Sequence, residues 1–258
     1  MPPQDLSSIW TEVQAASRKL LGDIKDNVPK GPIEMPTHYA HILGMFWRSV
    51  RLYEGTLVLL GAQLPEEAMI LARSLFEESL QLRELNTDES KRDALILRWI
   101  NTSINEKIGL IKTAESFGIE PDGQAILDKL CQDRLKLRRY AQRHNIAKPK
   151  AFLSPKDAAN QFGRGEDYWT YSWSHEAVHG SDAAWLFART EIRGGVALHD
   201  RTKDPGLRAS FAAYAAESVM DAAEATSSIF QWEEFESAKR TFHRIRELKE
   251  VLDTYADP

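Results

Sequence analysis

Apolar residues return every three or four positions along almost the whole chain, and that period constrains the fold more than any motif does. Leu6, Ile9, Val13, Ala16, Leu20 and Ile24 step this way at the start, behind Asp5 as a helix cap. Ile42, Phe46, Val50, Tyr53, Leu57 and Leu60 repeat it after a Gly/Pro-bearing loop from Lys25 to Pro36. Pro65-Glu66-Glu67 opens a third helix, with proline in the first turn and acids against the helix dipole. That helix runs to about Leu85 and carries Met69, Ile70, Leu71, Ala72, Leu75, Phe76, Leu80 and Leu82. It is apolar nearly all round and is predicted to be central and buried.

The same reading predicts helices from about Ser90 to Ser116, from Pro121 through Ala141, from near Pro155 and from near Gly165. Two long ones close the chain, the first Ala-rich from about Leu207 to Trp232, the second on Phe235, Ala238, Phe242, Ile245, Leu252 and Tyr255. Only Glu191 to His199 reads as strand, with Gly194-Gly195 as a hairpin turn. No internal repeat or low-complexity segment divides the chain, and the connections are short. The expectation is an all-α fold: one multi-helix bundle over residues 1–258, with at most one short β-hairpin at about residues 190–200.

Composition narrows the function classes. A chain of 258 residues that is 43% hydrophobic can bury a proper core. Its 38 acids against 33 bases give a net charge of −5, which argues against a whole-domain nucleic-acid footprint. A single cysteine, Cys131, excludes an intramolecular disulfide and a Cys-rich zinc site. No basic and apolar leader is visible at the start, and no apolar stretch is long enough to span a membrane. A cytoplasmic protein without a membrane partner is expected.

Chemistry concentrates at His175-Glu176-Ala177-Val178-His179. Two His four apart share a helix face, and the Glu between them can act as general base, as in zincin metallohydrolases. Tyr168, Tyr171, Ser172, His175, His179 and Asp182 recur at helical spacing as one polar-aromatic stripe. Zn²⁺ there would take His175 and His179 as ligands, with Glu217 as the third and Asp221 orienting a ligating His. The Glu-x-x-x-Asp string resembles the third-ligand helix of the gluzincins. Two features depart from that family: Gly180-Ser181 reads as a helix stop after His179, and no sheet is predicted to hold a substrate. Without metal, the His pair would belong to a buried polar cluster, and His179 would be the acid–base residue.

Arg73 and Glu77, four apart on the apolar third helix, are spaced for an intrahelical ion pair. Buried charge needs partners, so they form a structural lock or line a pocket. The string Ala72-Arg73-Ser74-Leu75-Phe76-Glu77, followed by Tyr171 and then Val178-His179-Gly180-Ser181, resembles the bacterial domain-of-unknown-function family numbered 5677. The resemblance spans about Thr37 to Trp232. It implies an all-α fold in which the Arg-Glu helix and the Tyr-His helix face each other, and it implies no reaction. Its pattern centres on His179, which makes His175 and Glu176 peculiar to this member. The candidate catalytic set is therefore Glu176, His179, Tyr171, Arg73 and Glu77.

A basic run, Arg134, Lys136, Arg138, Arg139, Arg143, Lys148 and Lys150, reads as a solvated helix end or as a phosphate strip. Within it, Arg139 and His144 have the Arg-x₄-His spacing that resembles the catalytic motif of HEPN ribonucleases, all-α proteins of toxin and phage-defence systems. Tyr140 stands where those enzymes usually carry a polar residue. His38 and His41, three apart at the start of the second helix, could join a metal site but are expected to cap a helix or face solvent, and Trp169 and Trp173 to pack in the core or against a partner. Three function classes stay open: a hydrolase, zinc-dependent or not, acting on a small molecule or peptide; a HEPN-like ribonuclease; and a non-catalytic sensor or interaction protein, any of which could be a homo-oligomer.

Overall fold

The computed structural model describes residues 6–118, 123–146, 151–179, 190–193, 196–199 and 205–256, with the backbone alone at 6, 115, 123 and 205, over 173–179 and 252–256, and in the strands. Among the described residues the helices are α1 (Leu6–Asn27), α2 (Ala40–Gly61), α3 (Pro65–Thr87), α4 (Glu89–Ser116), α5 (Gly123–Arg143), α6 (Pro155–Gln161), α7 (Gly165–His179), α8 (Pro205–Phe230) and α9 (Glu236–Ala256). The fold is all-α. Strands β1 (Thr190–Arg193) and β2 (Val196–His199) pair antiparallel, Thr190 opposite His199 and Arg193 opposite Val196. Gly194-Gly195 and the Asp5 cap lie outside the described residues.

The central pair is α3 with α8, and α2 packs on both. Phe46, Val50 and Tyr53 of α2 meet Leu75, Phe76 and Leu80 of α3 and Ala216, Val219 and Ala223 of α8 in one buried cluster. Each large side chain buried there contributes about 1.5–3 kcal/mol of hydrophobic stabilisation. Alanines on α8 let its neighbours come close. Close approach also governs α2 against α3, where a Cβ on Gly55 would lie 2.8 Å from Leu71 Cδ1. Helices α1 and α9 pack on each other and on α8.

Four helices end in the same way. Leu64 N–H donates to Leu59 O at 2.9 Å and Gln63 N–H to Leu60 O at 3.2 Å, with Gln63 at φ 62°. Matching bond pairs close α5, α6 and α8, with Asn145, Gly163 and Gln231 in the left-handed region. These are Schellman ends, in which the left-handed residue satisfies carbonyls that the helix leaves open. Only one of the four uses glycine.

Helix α5 packs chiefly on α4; the two carry the exposed apolar residues Leu110, Ile126 and Leu135, and Phe117, in the turn after α4, is exposed as well. No described helix is long and apolar enough to cross a membrane.

Candidate functional site

Polar groups enter the interior where α3, α7 and α8 converge. Arg73 and Glu77 stand one turn apart on α3, and Arg73 Nε lies 3.7 Å from Glu77 Oε1. Across the gap, Tyr171 of α7 accepts from Arg73 Nη2 at 3.1 Å and donates to Glu77 Oε1 at 2.5 Å. The Arg73 guanidinium also lies over the Tyr171 ring, 4.5 Å from its centroid. Tyr171 is buried, whereas Glu77 keeps contact with solvent. Burial first, and then the Glu77 carboxylate, raise the Tyr171 phenol above its ordinary value, so its proton stays on oxygen.

A second polar group begins in the connection between α6 and α7. Ser154 caps α6 by accepting from Asp157 N–H, Pro155 opens its first turn, and Gly163 at φ 70° reverses the chain. Arg164 N–H then donates to Ala159 O at 2.7 Å, and Arg164 O accepts from Tyr168 N–H at 3.1 Å as α7 starts. This turn delivers the Arg164 side chain to the interior, where it is 5% exposed. Its guanidinium donates to Asp167 and to Asp221, and Nε lies 3.6 Å from Glu217 Oε1. Burial opposes the charge on Arg164, but Asp221, Glu217 and Asp167 outweigh it and hold the group above its ordinary value. Arg83 on α3 reaches the same Asp221 at 3.3 Å.

Phe76 stands between the two groups, with ring centroids 5.7 Å from Tyr171 and 5.4 Å from Tyr214 and the Arg164 guanidinium 5.4 Å above it. Arg164 Nη2 and the Tyr214 hydroxyl are both buried without a hydrogen-bond partner among the described residues. Burial raises the Tyr214 phenol well above its ordinary value and raises the Glu217 carboxyl as well. Two cavities flank Arg164. One of about 750 Å³ is lined by Asp167, Tyr214 and Glu217 with Arg246 of α9; the other, of about 630 Å³, by Arg83, Phe162 and Asp221. Protonatable carboxyl, phenol and fixed guanidinium groups within reach of solvent-sized space can bind a polar ligand and exchange protons with it.

The structure thus brings Arg73, Glu77 and Tyr171 together and seats Glu217 beside Arg164. Asp221, read from sequence as a partner for a metal-bound His, is held instead by Arg164 and Arg83. His175, Glu176 and His179 belong to the last turns of α7, and their side chains lie outside the described residues. Among the described residues no group of three His, Cys, Asp or Glu could hold a metal ion. Arg164 is the residue that sequence reasoning missed. Its signal was Gly163-Arg164-Gly165 directly before an acidic first turn, a charge fixed between two glycines at a helix start.

One other expectation is corrected. His38 neither caps nor faces solvent: it is buried, and its Nε2 lies 2.8 Å from Asp93 Oδ1. Of the two places expected for Trp169, the core is ruled out: it is 78% exposed, on the face of α7 opposite α3, while Trp173 lies outside the described side chains. On α5, Arg138, Arg139, Arg143 and His144 are exposed, with Tyr140 stacked on His144 at 4.2 Å, while Lys148 and Lys150 lie outside the described residues.

Residues 39–192 match the Family of unknown function (DUF5677). The chain belongs to that family. The DUF5677 match takes in Arg73, Glu77, Arg164 and Tyr171, and ends before α8, short of the Trp232 limit expected from the sequence. No curated protein and no solved structure matches the chain.

Proposed function

We propose that the junction of α3 and α7 is an acid–base site of hydrolase type for a small-molecule or peptide ligand. One observation carries this reading. The Tyr171 hydroxyl is held between an acceptor, Glu77, at 2.5 Å and a donor, Arg73, at 3.1 Å, one helical turn before His175. Positions 171, 175 and 179 share a face of α7 by their spacing. In this arrangement His179 moves the proton of an attacking water, and Tyr171 and Glu77 orient it. Arg73 stabilises the negative charge that develops on a carbonyl or phosphoryl oxygen.

The site works without metal. Glu217, the third zinc ligand proposed from sequence, has a guanidinium nitrogen 3.6 Å from its carboxylate, so a dication there would meet fixed positive charge. The test is a screen of ester, amide and phosphoester substrates with the intact protein, followed by the His175→Ala/His179→Ala double variant. Activity that disappears in the double variant while the helical circular dichroism spectrum persists supports the reading. Full activity in the double variant rejects it.

A second reading rests on the exposed Arg139 and His144 near the end of α5. They would form a HEPN-like RNA-cleaving site when two copies bring their α5 helices together. RNA cleavage lost in His144→Ala, and kept in the His175/His179 double variant, selects this reading over the first.

A further inference from the structure

A third cavity lies away from Tyr171, between the start of α2, the middle of α4 and α5. It is an open-mouthed cavity of about 680 Å³, the size of a small-molecule site. Its walls are largely hydrocarbon, with Leu97, Ile100 and Ile104 of α4 buried and Leu130 and Leu137 supplied by α5. Trp99 and Tyr140 add ring surfaces, with His41 edge-on to Trp99 at 5.5 Å and His38 tilted against Tyr140 at 5.1 Å. Protein cores close apolar space of this size with larger side chains. Here α4 and α5 leave it open, with Trp99 and Tyr140 among its walls.

The polar part of the lining is cationic. Asp93 fixes the ring of buried His38 through Nε2. Lys107 and Lys136 stand at the rim with one acid, Asp133, which holds Lys136 at 3.2 Å. Lys107 has no ion-pair partner among the described residues, so its charge is available to an incoming anion.

We propose that this cavity binds an amphipathic carboxylic acid, whose alkyl or aryl body occupies the space between α4 and α5 and whose carboxylate pairs with Lys107. The site is separate from the α3–α7 junction and does not depend on its being catalytic.

The test displaces 1-anilinonaphthalene-8-sulfonate from the full chain with decanoate, decanol and decylamine. One probe site per chain is expected, with decanoate competing at least about fivefold better than decylamine. Lys107→Glu weakens decanoate by about fivefold to tenfold and leaves decanol unchanged. Ile104→Trp fills the space and removes the displaceable probe. Equal competition by decylamine, or a Lys107→Glu effect shared by all three ligands, overturns carboxylate recognition. Probe binding untouched by Ile104→Trp overturns the cavity assignment. Should that variant not fold, methyl resonances of Ile100 and Ile104 in the unaltered protein decide: shifts on adding decanoate support the site, and unchanged resonances overturn it.

Discussion

Arg73 donates to the hydroxyl oxygen of Tyr171 at 3.1 Å, joining positions 98 residues apart in the chain. The same hydroxyl donates to Glu77, and Arg73 and Glu77 pair along one turn of α3. Each of the three groups satisfies another, so an otherwise apolar interface between α3 and α7 acquires a fixed register.

Tyr171→Phe keeps the ring and removes both hydroxyl contacts, while Arg73 and Glu77 retain each other. Stability should fall by about 1–2 kcal/mol, read by urea unfolding. The loss should shrink in an Arg73→Met background. Equal losses in both backgrounds would mean that the hydroxyl and the guanidinium are energetically independent. If the junction is catalytic, turnover in Tyr171→Phe should drop about 100-fold with little change in KM.

The helix ends give a paired prediction. Gly163 holds φ 70° where glycine is unstrained, whereas Gln63 holds φ 62° at the cost of a Cβ clash. Gly163→Ala should destabilise by about 1 kcal/mol, and Gln63→Gly should stabilise by about 0.5 kcal/mol after the added freedom of the unfolded chain is counted. Thermal melts of the two variants should move in opposite directions, and movement in the same direction would refute the assignment of these ends.

These ends also explain what the sequence could and could not reveal. The helices were legible because each must turn an apolar stripe inward, and α3 was legible as central because Met69, Ala72, Leu75, Phe76, Leu80 and Leu82 bury most of its length. The meeting of Arg73, Glu77 and Tyr171 was legible because charge inside such a helix must find a partner. Gln63 and Gln231 carried no stop signal, since glutamine does not favour the left-handed region and is placed there by tertiary context, whereas Asn145 is a residue type that often takes it. Arg164 escaped because its role depends on Asp221 and Glu217, which lie more than fifty positions away on α8. Local spacing cannot encode that pairing.

Arg164→Met removes the cation from among the half-buried Asp167, Glu217 and Asp221, and leaves Asp221 with Arg83 alone. Stability should fall by about 1–3 kcal/mol at neutral pH, because the three acids keep some solvent and Asp221 keeps Arg83. Burial already raises the Glu217 carboxyl above its ordinary value, and removing Arg164, which opposes that rise, raises it further. The deficit therefore widens as pH rises through and above 4.5, the ordinary glutamate value. Urea unfolding at pH 5 and pH 8 should give the larger loss at pH 8. A loss that is the same at both would show that the carboxylates do not depend on Arg164.

Glu78 provides a second pH dependence on the far side of α3. It is 5% exposed, with Oε1 3.4 Å from Arg48 Nη1 and Oε2 without a partner among the described residues. Burial pushes its carboxyl from 4.5 up to about 7, against the pull of Arg48. Between those two values the folded chain keeps a proton that the unfolded chain has released. Stability therefore falls as pH rises from about 4.5 to about 7 and is level in this respect above, by on the order of 3 kcal/mol at most. Glu78→Gln should remove this slope, so the variant gains on the unaltered protein between pH 5 and pH 8. Parallel stability curves over that range would show that Glu78 titrates normally.

The last prediction separates metal from metal-free chemistry at α7. A zinc site built on His175 and His179 needs a third ligand, and Glu217 was the residue the sequence offered. Its carboxylate faces Arg164, and its proton affinity is raised by burial, so binding Zn²⁺ would require displacing a guanidinium and ionising the acid together. Protein purified without added metal should therefore contain well under one zinc per chain by elemental analysis. Dialysis against a chelator should leave the melting temperature and any hydrolytic activity unchanged. One zinc per chain, with activity lost on chelation and restored by Zn²⁺, would assign Glu176 as the base for a metal-bound water. In that outcome Glu176→Gln should retain the metal and lose turnover, and His175→Ala should lose both.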